Sequence, residues 1–306
     1  MGSMSTPPQG ISGAVRYVGI HRVIGAFDWV KFAVENANGA VVAYLSGRPE
    51  GPAIPQTIDP ACAPLPHFII GAHDLHLLTS WIERGLRVEV QGTIHAQTHP
   101  GARSKNVIAA FYPGSPKRRI GLSAHFDSVY HCPGANDNAA AVAVLLSIAR
   151  RISDEAWDIP LDLYFFTGEE FGLLGSRAFV AELSASHQLD RIKMVLNLDS
   201  IAEGSSLEFW AGPETFEDQL RKVSQSFAHP PARRILFRFP PPVSSDHYPF
   251  YEAGIPACML FCGETVKYHA PADTYCPEGL DNIMYISEFT WHLLKAFAER
   301  DVNWLT

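Results

Sequence analysis

The fold of the larger part of this chain is decided by residues 118–176, RRIGLSAHFDSVYHCPGANDNAAAVAVLLSIARRISDEAWDIPLDLYFFTGEEFGLLGS. Two apolar runs in this stretch, RRIGL and LDLYF, predict strands, and AAAVAVLLSIARRI between them predicts a helix. The alternation of strand and helix predicts an α/β fold, in which helices cover both faces of a mixed, mainly parallel sheet. Ligands of such sheets bind at the carboxyl ends of the strands.

Five side chains that can bind metal ions stand where a predicted strand ends or a predicted helix begins. They are His125 in SAHFDS, Asp137 in PGANDNAAA, Glu170 in FFTGEEFGLLGS, Asp199 in VLNLDS and His269 in KYHAPADT. Carboxylate and imidazole ligands without thiolate suit zinc, and manganese or cobalt are compatible by ligand type. Each motif alone has an ordinary explanation, such as an acidic helix start or a turn. Those explanations do not account for all five in this order, so we predict two metals and a hydrolase.

The ordered series His-x-Asp, GANDNA, GEE-x-GLLGS, NLDS and YHAPADT resembles the motif series of the M28 metallo-aminopeptidases. The resemblance implies that Asp137 bridges two zinc ions. His125 and Asp199 would then complete one site, and Glu170 and His269 the other. A bridging carboxylate suits two ions about 3.5 to 4 Å apart. The resemblance also implies a cis peptide bond after Asp137.

Two further catalytic residues follow from the same resemblance. Glu169 would be the general base that takes a proton from the attacking water and delivers it to the leaving amine. Because adjacent residues at a strand end point in different directions, Glu170 can bind metal while Glu169 faces the substrate. Asp127 would accept a hydrogen bond from His125 and fix its imidazole tautomer. Asp246 and His247, in SSDHYPF, either support the pocket or serve the core alone.

The resemblance implies a dinuclear zinc aminopeptidase whose substrate is a peptide or aminoacyl amide with a free amino terminus. One alternative is a mononuclear zinc acyltransferase resembling glutaminyl cyclases, which keep equivalents of Asp137, Glu170 and His269. A specialised biosynthetic amide hydrolase and an inactive binding protein are the others. The presence of His125, Asp199 and Glu169 favours two metals and hydrolysis. One departure is Pro242, which stands where some secreted relatives have a tyrosine that polarises the substrate carbonyl.

Residues 11–97 are predicted to form a separate domain ahead of a catalytic domain at 98–306. Within it, ISGAVRYVG and GAVVAYLSG predict strands, whereas FDWVKFAVENAN and HDLHLLTSWIERG predict helices. The run GAVVAYL ahead of PHFIIGAHDLHLLTSWIERG resembles a protease-associated domain, a small β-rich module that many M28 enzymes carry. Such a module is either a lid that shapes substrate access or an aid to folding.

Composition and charge exclude several classes of function. Of the 306 residues, 47% are hydrophobic and 18% are charged, which is typical of a globular protein. The net charge of -8 argues against a nucleic-acid partner. No apolar stretch approaches the roughly 18 residues of a membrane span, and no signal peptide is evident, so we expect a cytoplasmic protein without a membrane partner. The five cysteines, including Cys62, are scattered and predicted to be free thiols. The sequence leaves the oligomeric state open.

Overall fold

The structure is a computed structural model that divides into two compact units, Met1–Arg103 and Ser104–Thr306. The residues it describes are 4–22, 28–51, 53–54, 65–97, 99, 101–112, 114–115, 117–155, 157, 159–204, 206–227, 234–263 and 267–298. Among these residues, no helix combines the length and the apolar character that crossing a bilayer requires. The described cysteines, Cys132, Cys258, Cys262 and Cys276, are not in disulfide bonds, and Cys62 lies outside the described residues.

The smaller unit is a five-stranded sheet, in the order β4-β3-β2-β1-β5, with one helix. Its elements are β1 (Ile11–Arg22), β2 (Asp28–Glu35), β3 (Val41–Gly47), β4 (His67–Ile70), α1 (Ala72–Glu83) and β5 (Glu89–Gly92). Neighbouring strands are antiparallel except for the parallel pair β3 and β4. Leu75 and Leu78 of α1 pack in the same apolar core as Phe32 and Leu45 of the sheet. The predicted strands at ISGAVRYVG and GAVVAYLSG and the helix at HDLHLLTSWIERG are confirmed.

The predicted helix at FDWVKFAVENAN is wrong, because Asp28–Glu35 of this segment form strand β2. β2 lies between β1 and β3, and its side chains are buried on both faces of the sheet, with Trp29 and Ala33 on one face and Phe32 on the other. A strand buried on both faces gives a nearly continuous apolar run, which periodicity alone does not separate from a helix. The Asn36 side chain accepts hydrogen bonds from two following backbone N–H groups, and the turn joins β2 to β3.

The larger unit is built on a seven-stranded sheet in the order β11-β10-β12-β9-β7-β8-β6. Its strands are β6 (Val107–Phe111), β7 (Arg119–His125), β8 (Leu161–Phe166), β9 (Ile192–Leu198), β10 (Ser206–Gly212), β11 (Arg234–Arg238) and β12 (Ala257–Phe261). The helices are α2 (Ala140–Asp154), α3 (Leu174–Ala185), α4 (Glu214–Gln225), α5 (His247–Glu252) and α6 (Leu280–Ala298). The central strands β12, β9, β7 and β8 run parallel, whereas β6 pairs antiparallel with β8 and β10 with β12. The predicted mixed, mainly parallel sheet is therefore confirmed.

Helices cover both faces of this sheet, as the sequence predicts. Alternate residues of β8 point to opposite faces. Leu161 and Leu163 join a core with α2, α4 and α6, whereas Tyr164 and Phe166 join a second core with α3 and α5. Because β7, β8 and β9 are parallel neighbours, their carboxyl ends meet at one edge of the sheet, directly before the predicted metal ligands.

Candidate metal centre

The structure brings the five predicted ligand side chains together at the carboxyl edge of the larger sheet. His125 is the last residue of β7 and Asp199 follows the end of β9. Glu170 lies in the turn between β8 and α3, and Asp137 lies in the irregular helical turn Ala135–Ala139 that leads into α2. His269 lies between β12 and α6.

Asp137 stands at the middle of this cluster, with one carboxylate oxygen facing each histidine. Its Oδ1 lies 3.1 Å from His125 Nε2, and its Oδ2 lies 3.5 Å from His269 Nε2. His125 Nε2 is also 3.7 Å from Asp199 Oδ1, and His269 Nε2 is 3.0 Å from Glu170 Oε2. Neighbouring ligand atoms of a tetrahedral zinc ion are about 3.3 Å apart, because the bonds are about 2.0 to 2.1 Å long. The residues therefore fit zinc on both sides of Asp137.

Glu169, the predicted general base, belongs to the same cluster. Ligand atoms of His125, Asp137 and Glu170 lie within 4.8 Å of one another, and so do those of His125, Glu169 and Asp199. Glu169 therefore lies close enough to both His125 and Asp199 to act on a molecule held between them.

The negative charge of the buried carboxylates in this centre must be balanced by protons or cations. Burial would lower the pKa of His269, but its hydrogen bonds with Asp137 and Glu170 outweigh burial and raise the pKa to about 10. The pKa of His125 is likewise raised well above its ordinary value by nearby carboxylates, against the effect of burial. Burial, together with neighbouring carboxylates, raises the pKa of both Glu169 and Glu170. Without metal, the histidines can balance the carboxylates only by holding protons, which divalent cations would displace.

The backbone around Asp137 allows a close approach of the surrounding chain. The Asp137–Asn138 peptide bond is cis, as the resemblance implies. Gly134 has a φ of +70°, and a Cβ atom there would lie 2.6 Å from the Asp137 carbonyl oxygen and 2.8 Å from Ser128 Cβ. Only glycine fits this position, both for its conformation and for its space.

Asp127 does not hold the His125 ring in the predicted way. His125 Nδ1 lies 3.0 Å from the Asp127 backbone carbonyl oxygen and 3.7 Å from its carboxylate. The carboxylate instead accepts hydrogen bonds of 3.3 Å each from the backbone N–H groups of Glu169 and Glu170. β7 ends at His125, so the rule that residues i and i+2 of a strand share a face does not apply to His125 and Asp127.

Behind Asp199 lies a chain of buried hydrogen bonds whose residues were not predicted from the sequence. Ser245 Oγ donates to Asp199 Oδ2 at 2.5 Å, Asn197 Nδ2 donates to Ser245 Oγ at 2.8 Å, and Ser123 Oγ donates to Asn197 Oδ1 at 2.7 Å. The available signal was the occurrence of a serine and an asparagine within otherwise apolar strands. Ser123 and Asn197 are direct partners in the β7–β9 ladder, which only the strand order reveals.

The segment that follows Ser245 is fully enclosed. Asp246 and His247 are 0% exposed. Burial raises the pKa of Asp246 to about 7, against the opposing effect of the nearby His125. Burial lowers the pKa of His247 to about 3, so its ring is neutral.

Tyr268 lies beside the centre, although it was not among the residues predicted from the sequence. The ring of Tyr268 stacks on that of His269, with 3.7 Å between the centroids. Burial raises the pKa of the Tyr268 hydroxyl well above its ordinary value, and Asp137 and Glu170 raise it further. The hydroxyl therefore keeps its proton and remains a hydrogen-bond donor. Its position directly before His269 in KYHAPADT was the signal that could have identified it.

Known proteins are similar in sequence to part of this chain. Aminopeptidase YwaD of Bacillus subtilis (strain 168) is 32% identical over 200 residues, which cover 62% of this chain and 44% of that protein. A glutaminyl-peptide cyclotransferase-like protein of Mus musculus is 28% identical over 210 residues, which cover 55% of this chain and 54% of that protein. The matched region thus spans about half the length of each relative.

Structural similarity extends over both units. The structure of BSAP, a zinc aminopeptidase from Bacillus subtilis, superposes with a TM-score of 0.65 at 21% identity, covering 96% of this chain and 77% of that one. An identity this low establishes the fold alone. The sequence profile of peptidase family M28 matches residues 106–291, which contain all five predicted ligands and Glu169. The chain therefore belongs to peptidase family M28.

Proposed function

We propose that this protein is a dinuclear zinc aminopeptidase that releases the N-terminal residue from a peptide or an aminoacyl amide. The observation that carries the proposal is the position of Asp137, whose Oδ1 lies near His125 and whose Oδ2 lies near His269. Asp199 completes the first group and Glu170 the second. A carboxylate shared between two groups of ligands would suit a pair of ions about 3.5 to 4 Å apart.

In the proposed reaction, the metal and the protein side chains have different roles. Zinc, when bound, supplies Lewis acidity that polarises a carbonyl group and acidifies water. Glu169 takes the proton of the attacking water on its carboxylate and delivers it to the nitrogen of the leaving amine. Asp127 orients Glu169 for this transfer, because its carboxylate holds the backbone N–H groups of Glu169 and Glu170. Glu170 would hold a metal ion and take no part in the proton transfer.

The charge of the centre supports specificity for a free amino terminus. Asp137, Glu169, Glu170 and Asp199 place four carboxylates in one buried cluster. Two zinc ions would offset the charge of these four carboxylates. The neighbouring carboxylates of Asp127 and Asp273 add negative potential that favours an α-ammonium group beside the scissile carbonyl. N-acetylation removes that positive charge and adds bulk, so it should abolish most of the activity.

The experiment compares Glu169→Gln with Glu170→Gln in metal content and in turnover. Glu169→Gln should keep two zinc ions per chain and lose about 10²-fold or more in turnover, because only the proton acceptor is removed. Glu170→Gln should bind less zinc. Free and N-acetylated forms of one peptide, compared by mass spectrometry, test the requirement for a free amino terminus. One tightly held zinc per wild-type chain, or equal cleavage of both peptides, would contradict the proposal.

A second candidate is a mononuclear zinc acyltransferase that cyclises N-terminal glutamine. The similarity to the mouse cyclotransferase-like protein favours it, together with the 3.0 Å approach of His269 to Glu170 next to Asp137. A peptide with N-terminal glutamine separates the two reactions. Cyclisation releases ammonia and leaves the peptide chain intact, whereas the proposed hydrolysis takes up water and releases free glutamine.

We further propose that residues 11–97 form a protease-associated-like domain. Its five-stranded sheet with one packed helix is consistent with a small β-rich module. Deleting this unit and measuring turnover of a short aminoacyl amide against a longer peptide tests its role. A lid should affect the longer peptide more, whereas an aid to folding should reduce the yield of soluble protein.

A further inference from the structure

Asn138, the residue after the central ligand Asp137, is bonded to the loop that carries Asp199. Its side chain is 2% exposed, and its Nδ2 donates to the Leu198 carbonyl oxygen at 3.0 Å. Its Oδ1 accepts from the Ser200 backbone N–H at 3.4 Å. Both partners are immediate neighbours of Asp199, so one asparagine side chain fixes the loop on either side of that ligand. We name these two hydrogen bonds the Asn138 clamp.

Asn136, the residue before Asp137, strengthens the same connection. Its Oδ1 accepts from the backbone N–H groups of Ala202 at 2.8 Å and Glu203 at 3.0 Å. Both groups lie a few residues beyond Asp199. The two asparagines that flank Asp137 therefore hold one loop, although they are more than sixty positions from it in the sequence.

Asp273 makes a separate connection from Asp137 to the loop that carries His269. Its carboxylate accepts from the backbone N–H of Asn136 at 2.8 Å and from that of Asp137 at 3.1 Å. Its own backbone carbonyl oxygen accepts from the Ala135 N–H at 3.2 Å. Asp273 is 1% exposed, so these bonds are shielded from water. We name the two carboxylate bonds the Asp273 clamp.

We propose that Asn138 and Asp273 are positioning residues that each serve a different one of the two metal sites. The Asn138 clamp aligns Asp137 with Asp199, and the Asp273 clamp aligns it with His269. The inference rests on the proposed dinuclear zinc centre. Groups that orient metal ligands in this way typically change metal affinity by about 10 to 100-fold when removed.

Each variant should affect one metal site more than the other, because the two clamps join the Asp137 loop to different loops. When Asp273 loses its charge, the asparagine bonds still hold the Asp137 loop to the Asp199 loop, so the side that faces His125 keeps its geometry. When Asn138 is truncated, the Asp273 carboxylate still holds the backbone N–H of Asp137, so the side that faces His269 keeps its geometry. Each change should therefore weaken one binding step.

The test is a cobalt(II) titration of the metal-free full chain, followed by the visible absorption of the bound ion and by calorimetry. His125→Ala and His269→Ala define the signature of each site, because each removes a ligand from one side alone. Asp273→Asn should weaken the step that is lost in His269→Ala by about 10 to 100-fold. Asn138→Ala should weaken the step that is lost in His125→Ala by a similar factor.

Asn282→Ala is the matched control. Asn282 Nδ2 donates to the Ala202 carbonyl oxygen at 2.5 Å, so this variant removes an asparagine bond to the same loop without touching the Asp137 loop. It should leave both cobalt steps unchanged. If Asn138→Ala does not fold, as judged by circular dichroism, Asn138→Ser replaces it, and the same selective weakening is expected to a smaller extent.

Two outcomes would overturn the inference while leaving the dinuclear centre intact: equal weakening of both steps by each variant, or no weakening by either. A loss in Asn282→Ala as large as that in Asn138→Ala would also overturn it, because loop stability rather than ligand alignment would then explain the effect. A single cobalt ion bound by the wild-type chain would overturn the proposed function first, and the inference with it.

Discussion

Replacing Ser245 by alanine tests whether the buried hydrogen bonds behind Asp199 serve metal binding. Ser245 is 0% exposed, and its hydroxyl both donates to Asp199 and accepts from Asn197. The change removes a hydrogen bond to a charged carboxylate and leaves a buried amide donor unsatisfied. We expect the metal-free protein to lose about 2 to 3 kcal/mol in the free energy of unfolding.

The same variant should bind zinc about 10 to 100-fold more weakly, because the Asp199 carboxylate loses the group that orients it. Ser123→Ala is the matched control. It removes the far end of the same chain of hydrogen bonds, where Ser123 Oγ donates to Asn197 Oδ1 and does not reach Asp199. Its expected cost is about 1 kcal/mol of stability, with zinc affinity unchanged.

Urea unfolding in the presence of a chelator measures the stability of both variants, and competition with a chromophoric chelator measures their zinc affinity. The comparison separates loss of stability from loss of ligand orientation. The proposed role of Ser245 in orienting Asp199 is refuted if Ser245→Ala binds zinc as tightly as the wild type. It is also refuted if Ser123→Ala weakens zinc binding as much as Ser245→Ala does.

Three further predictions concern stability. His247 is buried, and burial lowers its pKa from 6.5 to about 3. As the pH falls from 6.5 toward 3, the unfolded chain binds a proton at this ring that the folded chain does not bind. The free energy of unfolding therefore decreases over this pH range. This group should account for about 3 kcal/mol of the loss between pH 7 and pH 4, and urea unfolding of His247→Gln should lack that share. Wild-type protein with free zinc at about a hundredfold its Kd should lose about 5 to 10 °C in the unfolding temperature of the larger unit when a chelator removes the zinc. In calorimetry, the unfolding temperature of Asp137→Ala should not change when the chelator is added. Arg119→Met should cost about 3 to 5 kcal/mol, because it leaves the buried Asp162 carboxylate without its cation, and it should leave zinc content unchanged because Arg119 lies at the end of β7 opposite His125.

The architecture of the larger unit could be predicted because its signals are local. Short apolar runs that end in polar motifs predicted the central strands. The shared direction of parallel strands then placed His125, Glu170 and Asp199 at one edge. The strand β2 was mispredicted as a helix because its burial on both faces removes the alternation that marks a half-buried strand.

What the sequence could not supply is the set of contacts that depends on strand order and loop geometry. Ser123 and Asn197 meet because β7 and β9 are neighbours in register, and nothing in either segment indicates that pairing. The Asp127 carboxylate binds two backbone N–H groups rather than the ring of His125 because the chain leaves the strand at His125. Backbone donors carry no sequence signal, so contacts of this kind are invisible in a motif.

The buried contacts around Asp199 bear on the choice between two metals and one. A mononuclear site needs only Asp137, Glu170 and His269, and it makes no use of Asp199. Buried polar groups destabilise a fold unless they are satisfied, yet Asp199 is held by Ser245 and its loop is fixed on both sides by Asn138. These contacts hold a carboxylate 3.7 Å from His125 Nε2, where it has no role in a one-metal centre. The organisation behind Asp199 therefore supports the dinuclear proposal independently of the ligands themselves.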